Sequence, residues 1–367
     1  MTEDAGVTYR EAGVEVDAAQ GALGRLVSWV GRASHVRRDG SAVGQSILES
    51  GLFAAVLDLG NNNGLALTTD GVGTKLRVAE MADRYNTVGI DCVAMSVNDL
   101  VCVGATPVSM LDYLAVQKVD AAVFEEIGEG LFKGAELANV SIPGGEISQI
   151  GEMLHGYRDG SGLDLVGTAV GTVALDELVV GEGITEDDVL IGFKSNGLHS
   201  NGYSLARGVL FDRLGLGIDE TVAEFGHTVA DELLRPTAIY VRPAVDILAS
   251  GARVKAFSHI TGDGLLNLLR IRSEVGFLID FLPEPEPVFE LIQRGGKVSD
   301  EEMFFVFNMG IGFAAVIDRA DAESAQAIAL NYGFESWTIG RPLESLVGKV
   351  MIEPKQLVGE GGGFSRY

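Results

Sequence analysis

The chain has 367 residues, 47% of them hydrophobic and 22% charged, which is typical of a globular protein with two domains that each bury a core. The formal net charge of −25 disfavours nucleic-acid binding, because neutralising phosphates requires a basic surface. No apolar run reaches the roughly 18–20 residues that span a bilayer, and residues 1–4 lack a signal-peptide pattern, so we expect a cytoplasmic protein with no membrane partner.

The first half of the chain is predicted to combine strands with one very apolar helix. Residues 53–59 and 65–69 are predicted strands, joined by a turn at residues 61–64 whose asparagines and glycine are a strong hairpin signal. The other predicted elements of this half are a helix at 88–103, a strand at 113–118, a helix at 121–138 and a strand at 163–173.

The second half alternates strands with helices, which predicts an α/β layered domain. Its predicted elements are strands at 189–193, 276–281, 310–317 and 337–340, and helices at 286–294 and 321–331. The glycine-rich residues 359–363 predict a flexible tail. We place the domain boundary after Ala174, so that the domains are residues 1–174 and 175–367.

A candidate phosphate site follows the second predicted strand. It combines a carboxylate, two glycines, a hydroxyl and a cation: Asp70, Gly71, Gly73, Thr74 and Lys75. Glycines let backbone N–H groups approach phosphate closely, and a lysine adds positive charge. The spacing is not that of a Walker loop. By itself this string also suits an ordinary turn.

The apolar helix carries the polar residues Asp91, Asn98 and Asp99 on one side. At about 100° per residue, Asp91 and Asn98 lie about 20° apart on the helix wheel, and Asp99 lies about 80° from Asp91. In one interpretation Asp91 is an N-cap and the other two residues are a hydrogen-bonded core pair. In the other the carboxylates are ligands of Mg²⁺, which prefers oxygen. The nearby Asp70 favours the metal interpretation.

Three more glycine-rich segments carry polar residues. Residues 143–146 predict a tight turn with one carboxylate, Glu146. Residues 195–204 follow a strand and precede a helix, so their hydroxyls and glycines predict an anion site. Their His199 is equally compatible with a structural and an acid–base role. Residues 258–264, with His259, also lead into a helix.

Together these strings resemble the aminoimidazole ribonucleotide (AIR) synthetases, the phosphoribosylformylglycinamidine cyclo-ligases of purine biosynthesis. The matching residues run through most of the chain: 9, 12–14, 70–75, 89–100, 104–107, 111–113, 144–146, 197–204, 236–237, 239–241, 259–262 and 307–312. The resemblance implies a two-domain α/β (α+β) fold, with an N-terminal sheet domain that pairs across a homodimer and a mixed α/β C-terminal domain. It also implies ATP-dependent cyclisation of formylglycinamidine ribonucleotide to AIR, with release of ADP and phosphate.

The resemblance also implies roles for the candidate residues, with ATP and Mg²⁺ as cofactors and a small ribonucleotide as substrate. The expected Mg²⁺ ligands are Asp70, Asp91 and Asp99. The expected ATP-binding residues are Asp70, Gly71, Gly73, Thr74, Lys75 and Asn98. The expected substrate-binding residues are Gly145, Glu146, Ser200, Asn201 and Gly202. The catalytic candidates are His199, His259 and Lys75.

Two departures from the family pattern stand out. Residues 43–50 lack the glycine-rich, aromatic stretch that helps cover the nucleotide, and Asp263 stands where glycine is commoner. A carboxylate at that position is found in related ATP-dependent enzymes, so the alternatives are an enzyme similar to selenophosphate synthetase, thiamine-phosphate kinase or a hydrogenase-maturation protein. A non-catalytic ATP-binding paralogue is a further alternative. The string at residues 198–204 favours the cyclo-ligase.

Overall fold

The computed structural model describes residues 6–10, 16–33, 43–48 and 51–367. Residues 12–14 and 49–50, which entered the sequence comparison above, lie outside these ranges. Within them, the structure contains no helix with both the length and the apolar character needed to cross a membrane.

A five-stranded sheet with the strand order β1-β2-β5-β3-β4 organises the first half of the chain. Neighbouring strands are antiparallel, except that β3 and β4 are parallel. The elements are α1 (Val16–Ala33), β1 (Ala55–Gly60), β2 (Asn63–Gly71), α2 (Lys75–Ala82), α3 (Val88–Val101), β3 (Thr106–Val116), α4 (Ala121–Ala138), β4 (Ser141–Gln149) and β5 (Leu163–Ala174).

One face of this sheet packs on the apolar helix α3, and the other face is open. Along β5 the odd-numbered residues from Leu165 to Val173 are buried, whereas Thr168 and Thr172 on the other face are exposed. Helix α4 packs so closely on α3 that a Cβ on Gly89 would lie 2.3 Å from the backbone nitrogen of Leu131. Tight packing against both the sheet and α4 explains why α3 is apolar nearly all round.

The second half forms an eight-stranded sheet with the order β15-β14-β13-β10-β12-β6-β11-β9. A separate two-stranded ribbon pairs β7 with β8. The strands are β6 (Asp188–Lys194), β7 (Thr221–Val222), β8 (His227–Thr228), β9 (Val254–His259), β10 (Gly276–Ile279), β11 (Ile311–Asp318), β12 (Ser336–Leu343), β13 (Val350–Ile352), β14 (Leu357–Gly359) and β15 (Phe364–Arg366). The helices are α5 (Tyr203–Arg207), α6 (Val229–Leu233), α7 (Val241–Ala249), α8 (Pro287–Gly296), α9 (Asp300–Val306) and α10 (Ala322–Asn331).

The structure confirms the predicted mixed α/β architecture and corrects two local predictions. Residues 143–146 were predicted as a tight turn but lie within β4, where the edge position tolerates Pro143 because its missing N–H faces no partner strand. Residues 359–363 were predicted as a flexible tail but connect β14 to β15, which pair antiparallel at the sheet edge. The first sheet ends at Ala174 and the second begins at Asp188, while the boundary after residue 174 itself stays a prediction.

Candidate active site

The loop between β2 and α2 presents part of the predicted phosphate site to solvent. Gly73 and Thr74 are exposed, and Gly73 has a φ of 71°, which favours glycine. Apart from Gly73 and its two chain neighbours, none of the residues that the structure describes has a heavy atom within 4 Å of a Cβ built on Gly73. Asp70 Oδ1 accepts a hydrogen bond of 2.7 Å from the Gly71 amide. The loop therefore leaves room for an anion above its backbone.

Lys75 points away from that space, under the loop and into the second domain. Its ammonium group is fully buried and donates to Asp91 Oδ1 at 2.9 Å, to the His199 carbonyl at 3.2 Å and to the Arg235 carbonyl at 2.6 Å. Three oxygen acceptors use the three donors of an ammonium group. In this arrangement Lys75 has no donor left for an ATP phosphate. Its catalytic and ATP-binding roles stay predictions, which this geometry does not favour.

Asp91 completes this contact. We call Lys75 with Asp91 the interdomain ion pair because these two residues of the first domain together bind the second domain. Asp91 Oδ1 accepts from the Thr237 amide at 2.7 Å, from Thr237 Oγ1 at 2.6 Å and from Ser200 Oγ at 3.3 Å. Burial lowers the pKa of Lys75, and the Asp91 carboxylate opposes that shift. Asp91 is not the N-cap of α3, because that position is occupied by Thr87. These bonds leave Asp91 poorly placed to be a metal ligand.

The other polar residues of α3 meet His259 at the end of β9. His259 Nδ1 lies 2.9 Å from Asp99 Oδ1, and its Nε2 lies 3.3 Å from Asn98 Nδ2. An ionised carboxylate only accepts, so we assign the ring proton to Nδ1 and let Nε2 accept from Asn98. Asn98 also donates to the Ala238 carbonyl and accepts from the Tyr240 amide, both at 2.9 Å. Asn98 thus fixes the second domain on α3 and is not free for ATP.

Asp70 and Asp99 are close enough for the charge of Asp99 to raise the pKa of Asp70. Burial raises the pKa of Asp70, and the negative charge of Asp99 raises it further, whereas the Gly71 amide, His259 and Arg270 act in the opposite direction. Two neighbouring carboxylates attract a divalent cation, and Mg²⁺ commonly takes one or two protein carboxylates together with phosphates and water. In the part of the chain that the structure describes, no three His, Cys, Asp or Glu side chains converge closely enough to hold a metal ion. The donor set therefore fits a magnesium–nucleotide complex rather than an all-protein metal cage.

A cross-strand row on the same face extends this site and was missed in the sequence. Asp70 on β2 pairs with Gly167 on β5, which pairs with Asp112 on β3, and Asp112 pairs with Gly145 on β4. Directly paired residues lie on one face of a sheet, and a Cβ on Gly145 would lie 2.4 Å from Asp112 Oδ1. A Cβ on Gly167 would lie 2.8 Å from the Met110 side chain and 2.9 Å from Ser96 Oγ, so this glycine lets α3 pack closely on the row. Burial raises the pKa of Asp112. The signal for Asp112 in the sequence was its place in the matching residues 111–113.

The two predicted substrate residues of β4, Gly145 and Glu146, lie on opposite faces of the sheet. Gly145 lies in the row described above, three strands from Asp70, which at about 4.8 Å per strand is about 14 Å. Glu146, the next residue along the strand, pairs with Tyr113 on the open face of the sheet. The structure therefore brings Gly145 to the row of carboxylates and does not bring the Glu146 side chain there.

His199 is packed inside the second domain. Its Nε2 accepts from the Asn196 amide at 2.9 Å, and its buried Nδ1 has no partner among the described residues. Burial lowers the pKa of His199 well below its ordinary value, and the nearby His259, Lys75 and Arg235 add to the shift. The neutral ring supports the turn that precedes the predicted substrate residues Ser200, Asn201 and Gly202, which we call the substrate loop. This geometry favours the structural interpretation of His199 over the acid–base one.

The remaining substrate candidates follow His199 directly. Ser200 Oγ lies 3.0 Å from Thr237 Oγ1, and Gly202 has a φ of 78° with the Phe307 ring 2.2 Å from a Cβ built there. The buried amide nitrogen of Asn201 has no partner among the described residues. The Asn201 oxygen lies 3.4 Å from a Cβ built on Gly262. Asn201 thus offers a free donor where the substrate loop meets the loop after β9.

Residues 43–48 and 51–53 lie beside this cleft. The Ile47 amide donates to the Val56 carbonyl at 2.9 Å, so the first segment runs along the edge of β1. Arg270 of the second domain donates to the Gly51 and Leu52 carbonyls at 3.1 and 2.8 Å, and its guanidinium lies 4.1 Å from the Phe53 ring centre. Arg270 therefore ties this segment to the second domain.

Comparison with known proteins identifies the family. Residues 52–173 match the N-terminal domain of AIR synthase related proteins, and residues 185–352 match the C-terminal domain. The chain is 42% identical over 356 residues to the phosphoribosylformylglycinamidine cyclo-ligase of Methanocaldococcus jannaschii. This match covers 95% of this chain and 97% of that protein. The chain is 44% identical over 322 residues to the enzyme of the same name from Methanothermobacter thermautotrophicus, covering 88% and 91%.

Solved structures share the fold at much lower identity. Thiamine-monophosphate kinase from Stenotrophomonas maltophilia superposes with a TM-score of 0.60 at 21% identity, covering 89% of this chain and 95% of that one. PurL of T. maritima complexed with AMPPCP gives 0.53 at 16% identity, covering 83% and 43%. The structural likeness supports the fold alone, and the sequence relatives support the family. The chain belongs to the AIR synthase related proteins and, among them, to the phosphoribosylformylglycinamidine cyclo-ligase family.

Proposed function

We propose that this chain converts formylglycinamidine ribonucleotide and ATP to aminoimidazole ribonucleotide, ADP and phosphate in purine biosynthesis. The observation that carries the proposal is identity of 42% over nearly the whole chain to a curated cyclo-ligase. The cleft supports it, since an open glycine loop lies beside two coupled carboxylates and a buried histidine.

The proposed reaction has two steps. The formyl amide oxygen attacks the γ-phosphorus of ATP and ADP leaves, which turns a poor leaving group into a phosphate ester. The ribosyl-bearing amidine nitrogen then attacks the formyl carbon, the carbon–oxygen bond breaks, and phosphate leaves with the oxygen. Two protons leave in all, one from the formamide nitrogen and one from the ribosyl-bearing nitrogen. A methylene hydrogen then shifts to the exocyclic nitrogen, which gives the aromatic aminoimidazole. Such a site must stabilise negative charge in the first step and accept a proton in the second.

Asp70, Asp99 and the loop backbone are assigned to the nucleotide side. Mg²⁺, when bound, would neutralise charge on the transferring phosphoryl group. Asp70 and Asp99 would hold the ion, and Asp112 stands in the same row as Asp70 with Gly167 between them. The backbone of Gly71, Gly73 and Thr74 remains our candidate for the phosphates of ATP.

His259 is assigned to proton transfer and Asp99 orients it. The bond between His259 Nδ1 and Asp99 Oδ1 holds the proton on Nδ1 and leaves the Nε2 lone pair as the basic site. Nε2 now accepts weakly from Asn98 at 3.3 Å, and a substrate N–H of higher acidity would compete for that lone pair. His259 is therefore a better candidate base than His199, whose Nε2 is used within its own turn.

The interdomain ion pair is assigned to holding the ATP loop and the substrate loop in fixed positions, and residues of the substrate loop are assigned to substrate binding. Lys75 and Asp91 connect the nucleotide loop with the carbonyls of His199 and Arg235 and with Thr237. Fixing two reacting molecules in one geometry lowers the barrier substantially. Asn201, with its unpaired donor, and Gly202 are assigned to the substrate, together with Gly145.

We further propose that the chain is a homodimer that pairs the open faces of the first sheet. Leu111 and Tyr113 on β3 are 50% and 38% exposed and lie on that face, and Leu59 on β1 is 43% exposed. Exposed apolar sheet faces in soluble proteins commonly mark interfaces. The face is continuous across the sheet and carries the valines Val166 and Val170 of β5.

The test is to incubate the purified chain with ATP, Mg²⁺ and formylglycinamidine ribonucleotide and to measure ADP and aminoimidazole ribonucleotide together. The proposal predicts equal amounts of both. ADP without the imidazole would point to another acceptor, such as those of the related kinases. Formation of neither product would contradict the enzymatic assignment. His259→Ala, which we expect to fold and to lower kcat by about 10²–10⁴, is the matched control for contaminating enzyme.

A further inference from the structure

A cavity apart from the active site lies between the two domains. Residues 235–237, which contact the interdomain ion pair, form part of its wall. Its volume is about 470 Å³, within the range of small-molecule sites. Ile90 and Leu137 of the first domain form one wall, and residues 194–196, 235–239, 242–243 and 332–335 form the rest. None of the residues assigned to ATP, Mg²⁺, the substrate or proton transfer lines it, whereas Arg235 and Thr237, which contact the interdomain ion pair, do.

The charge of this cavity is opposite to that of the chain. Three cations line it, Lys194, Arg235 and Arg242, against one carboxylate, Glu335, whereas the whole chain has 52 acidic and 27 basic residues. A local excess of positive charge in an acidic protein concentrates anions at that place.

Two of these cations have donors to spare. Arg242 is exposed, forms no ion pair with any described residue, and uses one nitrogen to donate to the Glu136 carbonyl at 2.5 Å. Lys194 lies 3.4 Å from Glu335, a long contact between two exposed side chains. Arg235 is different, because it is held by Glu232 at 3.3 Å and by the Asn196 side chain at 2.7 Å.

The remaining walls are apolar and aromatic. Phe334 packs against Tyr240 with ring centres 4.9 Å apart, and Tyr332 donates from its hydroxyl to Asp246, which fixes its ring at the rim. Rigid aromatic faces beside cations are suited to a planar ring joined to a phosphate. Ile90 and Ile239 supply the apolar floor.

We propose that this cavity is a second ligand site that binds a nucleoside monophosphate, with the phosphate on Arg242 and Lys194 and the base against Phe334. The cavity shares its wall with the active site. The Arg235 carbonyl accepts from Lys75 at 2.6 Å, and the Thr237 amide donates to Asp91 at 2.7 Å, while the same segment lines the cavity. A ligand that contacts both domains here therefore also stabilises the arrangement around the interdomain ion pair, and binding at the two sites is coupled.

The experiment is calorimetric titration of the full chain with AMP while the active site is saturated with AMPPCP and Mg²⁺. We expect one AMP per chain in the wild type. Arg242→Glu and Lys194→Gln should each raise the Kd for AMP by about tenfold or more, since each removes a charge-assisted contact to phosphate. Phe334→Ala should weaken AMP and leave ribose 5-phosphate unchanged.

The matched control is Lys133→Glu, which makes the same change of charge as Arg242→Glu at an exposed residue of α4 outside the cavity. The control should bind AMP like the wild type. The proposal is wrong if the wild type binds no AMP under these conditions, or if Arg242→Glu and Lys194→Gln bind it as tightly as the control. If Phe334→Ala loses as much affinity for ribose 5-phosphate as for AMP, the base does not lie against Phe334. Lys194→Gln keeps the test decisive if Arg242→Glu fails to fold.

Discussion

Replacing Lys75 by methionine tests whether this lysine belongs to the fold or to the nucleotide site. Methionine keeps the length of the side chain but removes the charge and all three donors. Asp91 is then left buried and negative, and the carbonyls of His199 and Arg235 lose their partner. Removing one member of a buried ion pair costs about 3–5 kcal/mol, and the fully buried ammonium group places Lys75→Met in that range.

A double-mutant cycle separates the charge from the packing. Asp91→Asn keeps an oxygen that accepts from Thr237 but carries no charge. In that background Lys75→Met leaves no unpaired charge, so it should cost about 1–2 kcal/mol less than in the wild type. The control is Lys133→Met, which breaks an exposed pair with Glu129 and should change stability by about 0.5 kcal/mol or less.

The assay is urea unfolding followed by circular dichroism, together with the KM for ATP. We expect a large fall in the unfolding midpoint for Lys75→Met and a fall in kcat. If the midpoint stays at that of the Lys133 control and only the KM for ATP rises, Lys75 contacts the nucleotide and our assignment is refuted.

Four further predictions follow from the site and the open sheet face. His259→Ala should lower kcat by about 10²–10⁴ with the fold intact, and Asp99→Asn should lower kcat and weaken Mg²⁺ together, measured by steady-state kinetics across Mg²⁺ concentrations. Burial and the charge of Asp99 raise the pKa of Asp70 above 3.8, so kcat/KM should fall as the pH drops through that raised pKa. A higher Mg²⁺ concentration should shift this acid limb of the pH profile to lower pH. An acid limb that does not shift with Mg²⁺ would exclude Asp70 as a metal ligand. Tyr113→Glu should yield monomers in light scattering after gel filtration, whereas Leu330→Glu, which changes a residue 63% exposed on α10, should not; a dimer that survives Tyr113→Glu would place the interface elsewhere.

Much of the fold followed from periodicity in the sequence. The helix at 121–138 and the hairpin around Asn61 and Asn62 were predicted correctly, because α4 is strongly amphipathic and those asparagines adopt positive φ. Strand β4 was missed because proline and two glycines look like a turn, and only its pairing with β3 makes it a strand. Edge strands depend on long-range partners that local patterns do not contain.

The sequence indicated candidate residues of the site, whose roles stay predictions, but it did not indicate their hydrogen-bond partners. The residue types led to Asp70, Asp99 and His259, which the structure brings together. The partners of Lys75 could not be predicted, because two of its three acceptors are backbone carbonyls more than 120 residues away in the chain. Asp112 was not assigned a role because its position in one row with Asp70, two strands away, depends on the register of three strands.

The central claim is that ATP activates the formyl amide oxygen of the ribonucleotide. The most direct test is a single turnover with formylglycinamidine ribonucleotide labelled with ¹⁸O at that oxygen, with phosphate and the imidazole product analysed by mass spectrometry. We expect one ¹⁸O in each phosphate released and one aminoimidazole ribonucleotide formed with it. Unlabelled phosphate, or ADP formed without ring closure, would contradict it.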